Sequence, residues 1–348
     1  MAHIVMADDG IVFDGRTPER SPLGGAESSF VQLAETLARR GHAVDVRNHC
    51  EGPLRHNGVD WAPLAGGLPE SADLYIANRG DGLILSMPTA ARTVFWIHNP
   101  ARYLMKWRYL WKLWRKKPAI VFIGDYHATT YPSWAPGGER VVIPYGLPEM
   151  FRTAEPAPRP PPPRAVFTSN PLRGLDWLME TWADRIVPRV PGAELHVFSG
   201  PATYGAAGQG KADRMQVVLD RARGLAGSGV VLRGPVPKAA LLDELRAARV
   251  MLYKGDINET FCMALGEAQA IGVPAVVQPI GSVVERVVDG RTGFIAPDRD
   301  AFADAAVRLL SDDALWTRMH DAALASQRRW TWDEAAAAFE RLIPAEAL

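Results

Sequence analysis

The sequence predicts an α/β protein made of two doubly wound, parallel-sheet domains. Three observations carry this: short β-rich runs alternate with helix-like stretches in both halves, a proline-rich break falls near mid-chain, and 348 residues exceed one ordinary core.

In the first half the β-rich runs are HIVMA, HAVDV, DLYIA, RTVFWIH, AIVFIG and RVVIP. The first helix, AESSFVQLAETLARRG, starts after Gly24-Gly25 and stops at Gly41, where start and stop rules place those glycines. From Glu155 to Arg164 six of ten residues are proline. Neither a helix nor an inner strand propagates through that composition, so it reads as a stiff linker. Beyond it AVFTS, AELHVFS, VVLRG, VMLYK and PAVVQ alternate with helical stretches such as LDWLMETWADRI and KAALLDELRAAR. The tail WTWDEAAAAFERLI reads as a last helix that periodicity assigns to neither domain. The expected division is therefore a Rossmann-like domain at 1–152, a linker at 153–164, a second Rossmann-like domain at 165–330 and a terminal helix at 331–348. Such sheets bind ligands beyond the carboxyl ends of their strands, so two facing domains are expected to share a ligand in the cleft.

Charge is balanced, with 39 basic and 39 acidic side chains, so no global field draws the chain to nucleic acid. Only Cys50 and Cys262 are present, too few for a disulfide framework. The start MAHIVMADDG lacks a signal peptide's pattern, and no window has the apolar length of a membrane span. The expected location is cytoplasmic. No DxD pair or His/Cys cluster follows a strand in a way that suggests a metal, and neither metal nor cofactor is expected.

The most informative stretch is NETFCMALGEAQAIGVPAVV, Asn258 to Val277. It sets Glu259 and Glu267 eight positions apart, but so are Glu19 and Glu27, and Glu27 and Glu35. Context separates them: only Glu259 follows a hydrophobic strand, opens a helix and leads through Gly272 and Pro274 into another apolar strand. A strand, an acidic loop and outward-pointing helix amides suit a phosphate and the hydroxyls beside it. The plainer reading is a helix-start glutamate favouring the dipole, with Glu267 solvated.

ETFCMALGEAQAIGVPAVV and the following GSVVERVVDGRTGFIAP resemble the donor-binding region of the family 4 retaining glycosyltransferases, whose fold is the two-domain GT-B type. GGAESSFVQLAETLARRGHAVDV is similar to that family's glycine loop and first helix, VVIPYGLP to its segment before the linker, and SNPLRGLDWLMETW with VPGAELHVFSG to its diphosphate loop, helix and next strand. The resemblance implies transfer of a sugar, with retention and without a metal, from a nucleotide diphosphate sugar to a glycan, lipid-linked or small-molecule acceptor, in cell-surface polysaccharide or glycolipid synthesis. By position, Glu259 would contact the donor sugar, Glu267 the ribose, and the amides of Thr260, Phe261, Cys262 and Met263 the sugar and phosphates. Arg173 stands where the family has a lysine on the diphosphate, and a guanidinium suits that role. The family's companion arginine is missing, since the loop reads Thr168-Ser169-Asn170; either another cation, such as Lys254, acts with Arg173 or the phosphates are held less tightly. Gly24, Gly25 and Glu27 lie at the first strand-to-helix turn, where bare backbone approaches a ligand closely, although a plain tight turn has the same needs. His98 takes the place of a histidine near the transferring sugar, against the plainer reading of a structural imidazole. Asp125 and His127 are candidate acceptor contacts.

Arg102 to Lys117, RYLMKWRYLWKLWRKK, has seven basic and no acidic residues. At helical spacing Tyr103, Trp107, Leu110, Trp111 and Trp114 share one face, while Arg102, Lys106 and the other cations cover much of the rest. Through residue 152 there are 17 basic and 15 acidic side chains, so the stretch is a cationic patch in an otherwise acidic domain. Two readings stand: the stripe packs into the core with its cations solvated, or it meets an anionic membrane surface. Two other functional classes use the same architecture, a nucleotide-sugar epimerase or hydrolase and a non-catalytic nucleotide-sugar-binding relative.

Overall fold

The computed structural model describes residues 1–21, 23–200 and 212–347, which fall into two compact α/β units. The first comprises residues 1–146 and the segment from Thr331 onward, the second Leu147–Trp330.

In the first unit eight strands form one sheet: β1 (His3–Asp8), β2 (Ala43–Asn48), β3 (Leu54–His56), β4 (Val59–Pro63), β5 (Leu74–Asn78), β6 (Arg92–Trp96), β7 (Ala119–Phe122) and β8 (Arg140–Val142). Their order is β3-β4-β2-β1-β5-β6-β7-β8, parallel except for the edge pair β3 and β4. That hairpin turns at Asn57-Gly58, both with positive φ, the pairing a tight two-residue turn requires. Every residue of β5 and β7 is buried, as expected of strands covered on both faces. One buried cluster joins Val5, Tyr75, Phe95, Ile120 and Phe122 to Leu104 and Leu113 from the segment after β6. Helix α1 (Gly25–Arg39) leads from β1 toward β2, and helix α2 (Trp107–Lys116) leads from β6 to β7.

The second unit carries β9 (Arg164–Phe167), β10 (Glu194–Val197), β11 (Val230–Leu232), β12 (Val250–Tyr253), β13 (Ala275–Val277) and β14 (Gly293–Ile295), all parallel, in the order β11-β10-β9-β12-β13-β14. Numbered within the unit this is 3-2-1-4-5-6, the order of the dinucleotide-binding fold. Its switch point lies between β9 and β12, because the chain winds one way from β9 and the other way from β12.

Two boundaries differ from expectation. The chain leaves the first unit after Gly146, not 152, and the proline-rich segment is part of the second unit. There, backbone carbonyls are taken by arginines: Arg246 Nε donates to Glu155 O (2.8 Å), Arg249 Nη1 to Pro161 O (3.2 Å) and Arg328 Nη2 to Ala154 O (2.5 Å). A segment of prolines has few N–H groups but all its carbonyls, which suits it to lie against arginines.

The terminal helix (Trp332–Glu340) belongs to the first unit. Thr331 and Glu334 form a reciprocal capping box at its start. Arg40 holds Glu340 at 2.6 Å and Arg39 holds Asp333 at 3.0 Å, while Phe339 packs edge-on against Trp96. Gly146 permits the close approach of this segment, since a Cβ there would collide with the backbone of Thr331 and Trp332.

Candidate functional site

Each unit places charged side chains at the carboxyl end of its sheet, at its switch point. In the second unit, Arg173 follows β9 and Glu259 follows β12. Arg173 Nη1 donates to Glu259 Oε2, and the Tyr253 hydroxyl donates to the same oxygen at 2.8 Å. Glu259 is only 9% exposed, so its carboxylate is oriented by two donors in a partly dehydrated setting, where charge-assisted hydrogen bonds gain strength. Burial, reinforced by the neighbouring Glu259 charge, pushes the Tyr253 phenol well above its ordinary value, which keeps it a donor.

The side chains of Thr260, Phe261 and Cys262 are buried, and Met263 begins helix α3 (Met263–Ala270). Cys262 stands just before it with φ +61°, a left-handed conformation uncommon for a residue with a side chain. Burial pushes its thiol well above the ordinary cysteine value. Glu267, one of the most deeply buried acids in the unit, directs both carboxylate oxygens at Lys238 Nζ, each 2.6 Å away. Glu267 is thus not solvated, and Lys238 is a partner that spacing did not reveal because it lies on the preceding helix in sequence.

Asn170 uses its side-chain oxygen to accept from Leu172 N–H at 2.9 Å, and its carbonyl accepts from Arg173 N–H. It shapes the loop that aims Arg173. Lys254 lies with its ammonium 5.4 Å from the Trp177 ring, beside a depression of about 380 Å³ lined also by Leu172, Gly174, Asp176, Arg214 and Asp256. Arg214 is a second cation on this depression that sequence reasoning missed, as nothing in its helix distinguishes it from the neighbouring solvated arginines.

Arg286 is a further residue the sequence did not signal. Its side chain is 1% exposed, its three guanidinium nitrogens have no hydrogen-bond partner among the described residues, and it lies against both Phe261 (4.2 Å) and Trp330 (3.7 Å), in the corner these two rings make edge to face. Cation–π attraction offsets part of the desolvation cost, and the contact fixes Phe261 within the glutamate loop.

In the first unit, Asp8 ends β1 and Arg79 follows β5, with Arg79 Nη2 at 3.1 Å from Asp8 Oδ2 and 2.8 Å from Glu27 Oε1. Burial pulls the Arg79 guanidinium down, but the Asp8 and Glu27 carboxylates outweigh it and hold the guanidinium above its ordinary value. Glu27 folds back under Gly24, where any Cβ would strike its carboxylate, so the glycine loop serves this contact; Gly25 opens α1 and faces open space. The network continues inward. Asn78 Nδ2 donates to Asp8 Oδ2 (2.6 Å), His98 Nε2–H to Asn78 Oδ1 (2.5 Å), and the Tyr145 hydroxyl to His98 Nδ1. Burial, with Arg79 and then His127 adding to it, lowers the His98 imidazole well below its ordinary value and keeps it neutral. Asp8, Asn78, Arg79 and Tyr145 were not singled out from sequence, although Asp8 and Arg79 sit where a strand gives way to a glycine turn.

His127 is fully buried and has both ring nitrogens committed to the main chain: Nδ1 accepts from Ile123 N–H (3.2 Å) and Nε2–H donates to Asn99 O (2.8 Å). Burial lowers it to about 4. This is an anchor for its own loop, with no ring nitrogen left for an acceptor. Asp125 is exposed at the start of the same short helix.

The three tryptophans of the stripe point outward, whereas Tyr103 lies on a separate turn, Ala101–Met105, and packs against the core cluster. Trp107, Trp111 and Trp114 are 76%, 37% and 68% exposed, while Tyr109 and Leu113, on the opposite face of α2, are buried. The core-packing reading of the tryptophans is corrected: the buried face of α2 is a second one, narrower and less aromatic.

Comparison with known proteins agrees with this architecture. Residues 162–312 match the family model described as glycosyl transferases group 1. A D-inositol 3-phosphate glycosyltransferase of Xylanimonas cellulosilytica is 39% identical over 111 residues, 31% of this chain and 26% of that protein. Its counterpart in Streptomyces avermitilis is 38% identical over 144 residues, 41% of this chain and 30% of that one. The matched segments thus span less than a third of these curated relatives. Among solved structures, sucrose-phosphate synthase from Thermosynechococcus elongatus superposes with TM-score 0.73 at 16% identity, covering 98% of both chains. Anabaena HepE in complex with UDP and glucose gives 0.72 at 14%, covering 98% of this chain and 99% of that one. The fold is the GT-B type, two Rossmann-like units with parallel sheets, and its second unit carries the segment similar to group 1 glycosyl transferases.

Proposed function

We propose that this chain is a glycosyltransferase that moves a sugar from a nucleotide diphosphate donor to a separate acceptor, with retention of configuration and without a catalytic metal. The observation that carries the reading is the Arg173–Glu259 pair at the switch point between β9 and β12, directly before a helix. A ligand at that point meets a guanidinium for its phosphates, a carboxylate for sugar hydroxyls and the loop amides from Thr260 to Met263. Arg173 would hold the negative charge that grows on the diphosphate as the glycosidic bond breaks, which is where electrostatic stabilisation is most effective. Lys254 and Arg214, lining the depression beside it, are the cations available to assist in place of the missing loop arginine. Glu267, held by Lys238, is assigned to the ribose, and His98, whose two ring nitrogens are taken by Asn78 and Tyr145, to positioning the Asp8–Asn78–Arg79 network beside the sugar rather than to contacting it. Retention and metal independence are what the family resemblance of the glutamate loop implies.

The test is product analysis with UDP-, GDP- and ADP-sugars, each with and without candidate acceptors and with and without EDTA. UDP-glucose is the first to try, since HepE holds UDP and glucose. Transfer that requires an acceptor and survives chelation supports the proposal. Epimerised or hydrolysed donor in the absence of any acceptor replaces it with the epimerase or hydrolase reading, and donor binding with no turnover replaces it with a non-catalytic one.

A further inference from the structure

We infer that helix α2 is a membrane-docking surface, which lies flat in the interface of an anionic bilayer and brings the Asp8–Arg79–His98 end of the first unit to a membrane-borne acceptor. Trp107, Trp111 and Trp114 recur at i, i+4 and i+7, so they line one stripe of the helix, and all three are exposed. Exposed tryptophans on a soluble surface lose favourable burial, whereas in a bilayer interface the indole's apolar body and N–H are both accommodated. Charge selects the occupant. Arg102, Lys106, Arg115 and Lys117 are exposed beside the stripe and have no ion-pair partner among the described residues. Among the described residues the one acid that engages the helix, Asp81, is taken up by Arg108 (3.3 Å) and Lys112 (2.7 Å). At the carboxyl end of the helix a depression of about 180 Å³ is lined by Arg92, which is ion-paired with Glu139 (2.8 Å), and by Lys116 and Lys117, the cations there that a lipid phosphate would meet.

The buried side of the helix connects this surface to the candidate site. Tyr109 OH donates to Arg79 O (3.4 Å), and Lys112 Nζ donates to Asp81 O (3.0 Å). Both acceptors are on the loop after β5 that carries the Arg79 guanidinium to Asp8 and Glu27. Docking therefore holds that loop one helix diameter, ~10 Å, behind the interface, a distance the headgroup of an acceptor anchored in the bilayer by a lipid would span. The acceptor part rests on the glycosyl-transfer reading; the docking part does not.

The experiment is co-flotation of the full chain with phosphatidylcholine vesicles with and without phosphatidylglycerol, at low and high salt. Expected is binding to the anionic vesicles only, weakened by salt, with a fall of at least about tenfold in partitioning for the Trp107→Ser/Trp111→Ser/Trp114→Ser variant and for Lys106→Glu/Arg115→Glu. These side chains are exposed, so circular dichroism and thermal midpoint should match the wild type. No binding to anionic vesicles, undiminished binding by both variants, or self-association through the stripe without vesicle binding would overturn the inference. Nucleotide-sugar calorimetry on the same samples separates the two claims. Flotation without donor binding leaves the docking and removes the glycosyl-transfer reading, and donor binding without flotation does the reverse.

Discussion

Arg79 Nη2 lies 3.1 Å from Asp8 Oδ2 where β1 and β5 run side by side, and Arg173 holds Glu259 at the equivalent seam between β9 and β12. Each unit thus sets an arginine–carboxylate pair across its switch point. At such a point the two adjoining loops turn away in opposite directions and leave side chains room to converge, so an ion pair there is both structural and positioned to meet a ligand.

Removing the guanidinium in the second unit tests its ligand role. Arg173→Ala should weaken nucleotide-sugar binding by about 10- to 100-fold in calorimetry, the range for loss of charge-assisted hydrogen bonds worth roughly 1.5–3 kcal/mol. Glu259→Gln, close in shape, should bind nucleotide diphosphate nearly as well while transfer collapses. Unchanged affinity in Arg173→Ala would remove the diphosphate site from this loop.

Asp8 is fully buried and accepts from Gly10 N–H, Asn78 and Arg79. Asp8→Asn keeps the volume and removes the charge, leaving a second amide donor against Asn78 and Arg79. The expected loss is about 3 kcal/mol in urea denaturation, as for breaking a buried pair on one side. A loss under about 1 kcal/mol would show that Arg79 is held by Glu27 alone.

Acid should weaken the first unit. His127 titrates at about 4 when folded but near its ordinary value when unfolded, so between those values the unfolded chain binds the extra proton. Its contribution is present above about 6.5 and is lost as pH falls toward 4, on the order of 3 kcal/mol. The urea midpoint should drop over that window, and His127→Gln should flatten the drop while lowering stability at neutral pH. A midpoint equally steep in the variant would assign the effect elsewhere.

Both cysteines are buried and have thiol values raised by burial. Thiolate is the reactive form, so a disulfide reagent at neutral pH should leave native protein unmodified and titrate two thiols in denaturant. Rapid labelling of native Cys262 would contradict the packing of the glutamate loop.

Arg286 offers a sharper stability test. Arg286→Met replaces an unpaired buried cation with a side chain of similar length that still packs on Phe261 and Trp330, so stability should hold or rise. Arg286→Ala opens a cavity and should cost about 2–4 kcal/mol in urea denaturation. Strong destabilisation by the methionine would mean that the guanidinium N–H groups have acceptors.

Much of the scaffold was legible in the chain. Six β-rich runs in the first half and five in the second coincide with parallel strands, because a buried parallel strand must be apolar nearly throughout. The β3–β4 hairpin escaped notice, though Asn57-Gly58 is its turn signal, since its strands are short, half-polar edge segments. Glu259 was singled out from its local context, a strand, a loop and a helix start, and Arg173 from the family resemblance of its loop. Asp8, Arg79, Lys238 and Arg286 were not, as each acquires its meaning from a partner 25 or more residues distant, and separation of that kind leaves no period in sequence.

Residue order by itself determined the alternation of strands and helices, the glutamate loop and the all-basic tryptophan stretch, because these depend on neighbours within a few positions. Only the tertiary structure decided which face of α2 meets the core, that the proline run lies along the second unit, that the last helix returns to the first, and that His127 is an anchor while His98 joins a charged network. Each of those outcomes depends on which surfaces packing removes from water, and burial is a property of the whole fold.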